Sequence, residues 1–209
     1  MNHFGRLFQM TLFGESHGSS VGVVLDGVPA GLPLTEKDFQ ADLLRRKSGG
    51  LGTTPRIEAD EILLETGIFE GKTTGAPIMI RFLNQNTRSK DYTQLLAHPR
   101  PSHADYVANV KYQGFQDYRG GGAFSGRLTL GLVSAGVIAK KILNKYVFST
   151  TIINLGGNTV PSEFDKVLRD VVLEKDSIGG IVEIRVANVL AGLGEPYFDS
   201  LESTIYHLL

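Results

Sequence analysis

The chain reads as an α+β protein. Strand-like segments with a two-residue apolar period alternate with helix-like segments opened by capping residues. Between them lies an uncharged run, Leu128 to Ala139, that is apolar almost all round. Such a helix is expected to lie between two layers.

Phe8, Met10 and Leu12 alternate with Gln9, Thr11 and Phe13 up to Gly14, which predicts a strand with one buried face. Gly14-Glu15-Ser16-His17-Gly18 is the turn after it. It matches G-x-S-x-G, the nucleophile elbow of serine hydrolases, but that motif needs a helix directly after the serine. Here Val21 to Leu25 reads as a second strand running into the Asp26-Gly27 turn. A hydrolase acting through Ser16 therefore lacks its structural context. Thr35 with Asp38 has the form of a capping box and predicts a helix with Phe39, Leu43 and Leu44 inward. Its last turn, Arg45-Arg46-Lys47, complements the helix dipole, and Ser48-Gly49-Gly50 supplies the stop. Read from these residues alone, Arg46 is a solvated helix-end cation.

Short strands are predicted within Glu58 to Glu65 and over Pro77 to Leu83. Gly67 to Gly75 reads as a turn-rich connection and Asn84 to Tyr92 as polar loop. Ser102 to Asp105 repeats the capping pattern and predicts a helix from His103. An imidazole is thereby placed at a helix start, where free amides favour a neutral ring and a nearby anion. Tyr118-Arg119 then leads into Gly120-Gly121-Gly122, where the backbone can approach a ligand closely. Arg127 falls in the first turn of the next helix, Leu128 to Leu143, against the macrodipole, and so implies an anion in front of it. Glycine turn, helix start and guanidinium describe a phosphate-type site. The same residues also describe a flexible turn with solvated arginines.

Gly131, Ala135 and Ala139 form a small-residue stripe on that helix. Strand Thr150 to Leu155 follows, then helix Ser162 to Leu173 with Phe164, Leu168, Val171 and Val172 inward, and strand Ile181 to Val189. VGVVLDGVPAGLP near residue 21 echoes IVEIRVANVLAGLGEP near 181, as two related halves would. The second copy's helix, from Phe198, has Leu201, Ile205, Leu208 and Leu209 as its apolar face. The pattern stops there without a cap or breaker, so a single domain over residues 1–209, lacking a C-terminal part, is expected.

Composition narrows the function. Lys+Arg of 21 against Asp+Glu of 22 gives a net charge of -1, without the basic field of a nucleic-acid binder, so any anion site is local. With 42% hydrophobic residues the chain can bury a core, and the absence of cysteine excludes disulfides and thiolate metal sites. Arg6 and Gln9 interrupt the N-terminal apolar run, so no signal peptide is expected. The run Leu128 to Ala139 is shorter than the roughly 20 residues of a membrane span. A cytoplasmic protein with no membrane partner is expected.

GESHG, RPSHADY, DYRGGG with the following S-G-R-L-T, and AGLGEPYFDSLES, taken in this order, resemble the chorismate synthase family over essentially all 209 residues. The resemblance implies a β-α-β sandwich with helices packed between antiparallel sheets, here incomplete at the C-terminus, and a homotetramer. It implies a lyase that eliminates phosphate from 5-enolpyruvylshikimate 3-phosphate in a 1,4 sense to give chorismate, the last common step of the shikimate pathway. Reduced FMN is the implied cofactor, with NADPH expected only as a reductant of the flavin. His17 would protonate the departing phosphate, and His103 would protonate or stabilise the reduced flavin. Ser16, Arg46, Arg56, Arg100, Ser125 and Arg127 would hold substrate, which displaces the helix-end reading of Arg46. Arg46, Ala123, Phe124 and Ser125 would contact the flavin. Many family members have Arg-Ser-Ser where this chain has Ala123-Phe124-Ser125, so flavin contact there falls to backbone and Ser125. The family normally continues beyond residue 209 into further flavin contacts and a catalytic aspartate. The alternative is an inactive fragment that retains only phosphoanion binding or an assembly surface.

Overall fold

A computed structural model describes residues 2–53, 58–85, 92 and 97–208. The chain forms two compact units, one of residues 1–49 and 54–142, the other of residues 50–53 and 143–209.

The first unit is built on a five-stranded antiparallel sheet. Its strands are β1 (His3–Phe4), β2 (Gln9–Gly14), β3 (Ser20–Asp26), β4 (Ile62–Leu64) and β7 (Ile78–Leu83), in the order β1-β2-β3-β7-β4. A small hairpin, β5 (Ile68–Phe69) and β6 (Lys72–Thr73), fills the turn-rich connection. The alternation predicted for β2 is partial: Met10 is buried and Thr11 exposed, but Leu12 and Phe13 are both half-buried. Val21, Val23 and Leu25 of β3 pair across to Phe82, Ile80 and Ile78 of β7, and all six are fully buried. Burying such side chains contributes about 1.5–3 kcal/mol each.

Two helices cover this face. Helix α1 (Gln40–Arg46) is preceded by a 3-10 turn (Glu36–Phe39), and α3 (Thr129–Ile142) runs across the sheet. The Asp38 carboxylate accepts the Thr35 backbone N–H at 2.7 Å, as the capping pattern requires. Phe39 and Leu43 are buried, but Leu44 is 72% exposed, so the inner face of this short helix is narrower than predicted. In α3, Leu130, Gly131, Ser134, Ala135, Val137 and Ile138 are buried, and Leu132 faces outward. Gly131 sits where a Cβ would lie 2.6 Å from Leu12 Cδ2 and 3.1 Å from the Gly22 carbonyl. The small-residue stripe is therefore what lets helix and sheet touch.

The segment Arg119–Ile142 is long and apolar enough by length and composition to cross a membrane. It is not one helix: Gly120, Gly121 and Gly122 break it with φ of 59°, 83° and 52°, and half of its apolar window is buried within the fold.

The second unit holds an antiparallel pair, β8 (Val147–Leu155) and β9 (Gly180–Ala187), with a bulge between Ile152 and Asn154. It also holds α4 (Phe164–Glu174) and α5 (Leu201–Leu208). Phe164, Leu168 and Val171 are half-buried and Val172 is exposed, so the amphipathic pattern of α4 does not produce a buried face among the described residues. Helix α5 starts at Leu201 rather than Phe198, and Leu201, Ile205 and Leu208 are exposed; Leu209 lies outside the described residues. The internal echo is geometrically consistent. Both copies begin as the second strand of an antiparallel pair, and the glycine of each Ala-Gly-Leu is left-handed, φ 82° at Gly31 and 95° at Gly192.

Candidate active site

Strand β2 delivers the Gly14–Gly18 turn to the end of the sheet, where Ser16 and His17 are buried. The Ser16 N–H donates to the Gly122 carbonyl at 3.1 Å, which ties this turn to the triple glycine. Gly120 explains why the tie can form. It is left-handed, and a Cβ there would lie 2.4 Å from Cδ2 and 2.7 Å from Nε2 of His17, and 2.9 Å from Ser16 Oγ. The close approach expected of these glycines is thus made first to His17. The Tyr92 ring meets the imidazole edge-on, 4.9 Å between centroids. Ser16 is followed by β3 rather than a helix, which is not a nucleophile elbow.

Arg127 lies in a short 3-10 turn (Gly126–Leu128) ahead of α3, with the Ser125 hydroxyl accepting its backbone N–H at 3.3 Å. Its helix-start position implied an anion, and the structure supplies one from the chain itself. Arg127 Nη1 donates to Asp60 Oδ1 at 2.9 Å. Nη2 reaches the Leu83 carbonyl at 3.3 Å, and Nε donates to Asn84 Oδ1. The other Asp60 oxygen accepts from Arg46 Nη1 at 3.3 Å. Arg46 also donates from Nε to Thr129 Oγ1 at 3.2 Å and from Nη2 to the Gly126 carbonyl at 3.3 Å. Burial, with the like charge of Arg127, outweighs the attraction of Asp60 and lowers the Arg46 pKa below its ordinary value. Two guanidiniums around one carboxylate leave one net positive charge. Arg46 is thus the part-buried member of a cluster whose Arg127 and Asp60 are buried, not a freely solvated helix end.

Around His103 the structure departs from the sequence reading. Helix α2 (Asp105–Lys111) begins at Asp105, and Ser102 is left-handed with φ 61°, so the predicted capping box does not form. Asp105 is captured instead by Arg100, whose Nε and Nη2 donate to its two oxygens at 2.8 and 2.9 Å. A bidentate charged pair outcompetes a backbone cap. The Arg100 hydrogen bond is the main reason that the Asp105 carboxyl sits below its usual pKa. Arg100 lies over the Tyr92 ring, 5.9 Å from its centroid, on the same ring that meets His17. His103 is exposed, before the helix rather than in its first turn. Arg56 lies outside the described residues.

A cavity of about 390 Å³ opens beside this site, walled by Tyr112, Phe115 and Phe124, with Gly121, Ala123 and Gln116 among its other lining residues. Glu15, Asp105 and Asp117 also line it. Asp117 is paired with Arg119, which donates from Nε at 2.8 Å and Nη2 at 2.7 Å. That pairing holds the Asp117 carboxyl below its usual pKa, and the His17 charge adds to the effect. The buried Gln116 Oε1 has no hydrogen-bond partner among the described residues.

The predicted residues Ser16, His17, Arg46, Ser125 and Arg127 are therefore brought into one connected region, and Arg100 joins it through Tyr92. Ala123 and Phe124 lie at the neighbouring cavity. Sequence reasoning missed Asp60, Asn84, Tyr92 and Asp117, and the only advance signal was the anion that Arg127 demanded.

The family model described as chorismate synthase matches residues 8–209. The chain belongs to the chorismate synthase family. A chorismate synthase of Chitinophaga pinensis is 58% identical over 208 residues, a match that takes in 99% of this chain and 62% of that protein. A chorismate synthase of Methanocaldococcus jannaschii is 41% identical over 249 residues, covering all of this chain and 65% of its own length. A solved structure described as chorismate synthase matches with a TM-score of 0.69 at 24% identity, over 91% of this chain and 61% of that one, and so supports the α+β fold. The chain thus spans a little under two thirds of the chorismate synthases that it matches.

Proposed function

We propose that the whole protein is a chorismate synthase, a lyase that eliminates phosphate from 5-enolpyruvylshikimate 3-phosphate to give chorismate. The observation that carries this reading is that Asn84 joins the Arg46–Asp60–Arg127 cluster to the turn that carries His17, within a chain matched by the family over residues 8–209. The cluster's net positive charge suits a phosphate or carboxylate, and bidentate guanidinium geometry gives it direction. His17 Nε2 packs against Gly120, 2.7 Å from where a Cβ would lie. In this reading that nitrogen carries the proton delivered to the departing phosphate. Arg46 and Arg127 orient the substrate anions, Ser125 holds the backbone of Arg127 in place, and Ser16 fixes the turn that carries His17.

Reduced FMN, when bound, supplies the electron donation to the ring that no side chain provides. The cavity tests its fit. Three aromatic walls, and the Gln116 Oε1 acceptor that has no hydrogen-bond partner among the described residues, suit a planar ring with an N–H edge. The lining contains carboxylates and, among the described residues, no lysine or arginine, which does not suit the flavin phosphate. Of the expected flavin contacts, Ala123 and Phe124 fit the ring, while Arg46 and Ser125 belong to the anion cluster. NADPH enters only as a flavin reductant, and cytoplasmic location and tetramer formation belong to the same reading.

The test is anaerobic turnover of 5-enolpyruvylshikimate 3-phosphate by the full chain with dithionite-reduced FMN, followed by the absorbance of chorismate. Chorismate formation is expected. Ester binding without turnover would favour the alternative of a binding or assembly module that lacks the catalytic half.

A further inference from the structure

Asp60 touches both arginines of the proposed anion site, one oxygen to each, through Arg46 Nη1 at 3.3 Å and Arg127 Nη1 at 2.9 Å. Its side chain is only 6% exposed. Its φ is 52°, a left-handed conformation rare outside glycine, and such strain persists only where the surroundings fix it. The rest of each guanidinium is held as firmly. Thr129 and the Gly126 carbonyl orient Arg46, and Asn84 and the Leu83 carbonyl orient Arg127. Three of the five N–H donors of each arginine are met in this way. Two like charges with these partners but no carboxylate between them would separate.

We propose that Asp60 is a positioning residue for the reaction, fixing Arg46 and Arg127 at the spacing and orientation with which they receive the substrate anion. The inference rests on the reading of this cluster as the substrate's anion site. It opposes a simpler role, in which the carboxylate only neutralises charge and competes with the ligand.

The two roles predict opposite signs. Asp60→Asn keeps the shape, and asparagine tolerates the left-handed backbone. It removes a negative charge beside an anion site, so neutralisation alone predicts equal or tighter binding. Positioning predicts weaker binding despite the added positive charge. The experiment titrates 5-enolpyruvylshikimate 3-phosphate into the full chain and into Asp60→Asn by calorimetry, with circular dichroism as the folding control. An increase in Kd of at least 10-fold in the folded variant is expected, and an unchanged or lower Kd overturns the proposal. If Asp60→Asn does not fold, Asp60→Glu, which keeps the charge but alters the reach and favours the left-handed backbone less, decides once circular dichroism shows it folded: a Kd raised at least threefold supports positioning and a wild-type Kd overturns it. If the wild-type chain does not bind the ester, the functional reading falls, and Asp60 is judged by the ¹⁵Nε–H resonances of Arg46 and Arg127. Loss of slow exchange at both in the variant supports the proposal, and unchanged spectra overturn it.

Discussion

Asn84 fastens Arg127 to the turn that carries His17. Its Oδ1 accepts from Arg127 Nε, while its Nδ2 donates to the carbonyls of Glu15 and Gly18, each at 2.9 Å. One amide thereby joins the arginine cluster to the imidazole. Asn84→Asp keeps an acceptor for Arg127, now charged, and sets a carboxylate oxygen that cannot donate against the two carbonyls, so it separates the two halves of this link. It is expected to lower stability by about 1–3 kcal/mol, the usual cost of part-buried acceptors left unmet, as read by urea denaturation. Arg127 should stay ordered while the His17 ring signal shifts.

Gly120→Ala should displace His17. The added Cβ meets Cδ2 and Nε2 of the ring, and a left-handed alanine costs about 1–2 kcal/mol in addition. The expected result is a moved imidazole resonance and loss of turnover, with the ester still bound by the arginines. Wild-type turnover in this variant would remove Gly120 from the site.

Two glycines of α3 should respond in opposite directions. At Gly136 a Cβ meets nothing within 4 Å, so Gly136→Ala gains helix propensity and should stabilise the protein by roughly 0.5–1 kcal/mol. At Gly131 the helix rests on Leu12 and the Gly22 carbonyl, and Gly131→Val should destabilise by about 1–3 kcal/mol through overpacking. Thermal denaturation of both variants gives the comparison.

The Arg100–Asp105 pair gives a pH dependence of defined sign. Asp105's folded pKa is depressed below its ordinary 3.8, chiefly by the Arg100 hydrogen bond. Its contribution to stability is therefore complete above the unfolded value, near pH 4, and is lost as the pH falls through the folded value. The stability difference between wild type and Asp105→Asn should be constant at neutral pH and shrink under acid. A difference that grows below pH 4 would contradict the pairing.

Local pattern revealed the elements that depend on local physics. The alternation is plainest in β7, where Ile78, Ile80 and Phe82 are buried two positions apart, and the Thr35–Asp38 cap forms because Lys141 takes Asp38 Oδ1 and leaves Oδ2 to the Thr35 amide. The identical reading of Ser102–Asp105 failed because Arg100, five residues before Asp105, takes both carboxylate oxygens. Leu44 faces outward because the seven-residue helix α1 packs on α3 and buries only Leu43. Asp60 was not legible at all. It is one acid among several in Glu58-Ala59-Asp60-Glu61, and its partner Arg127 lies 67 positions away. What the sequence did carry was the demand for an anion at Arg127, and the fold answers it with Asp60.

His17 and the arginine cluster are proposed to form one phosphoester site. The most direct test follows the His17 ring and Arg46 guanidinium resonances together during a titration with 5-enolpyruvylshikimate 3-phosphate. Both are expected to shift saturably and to fit a single Kd. Movement of one without the other, or two separate dissociation constants, would contradict a single site.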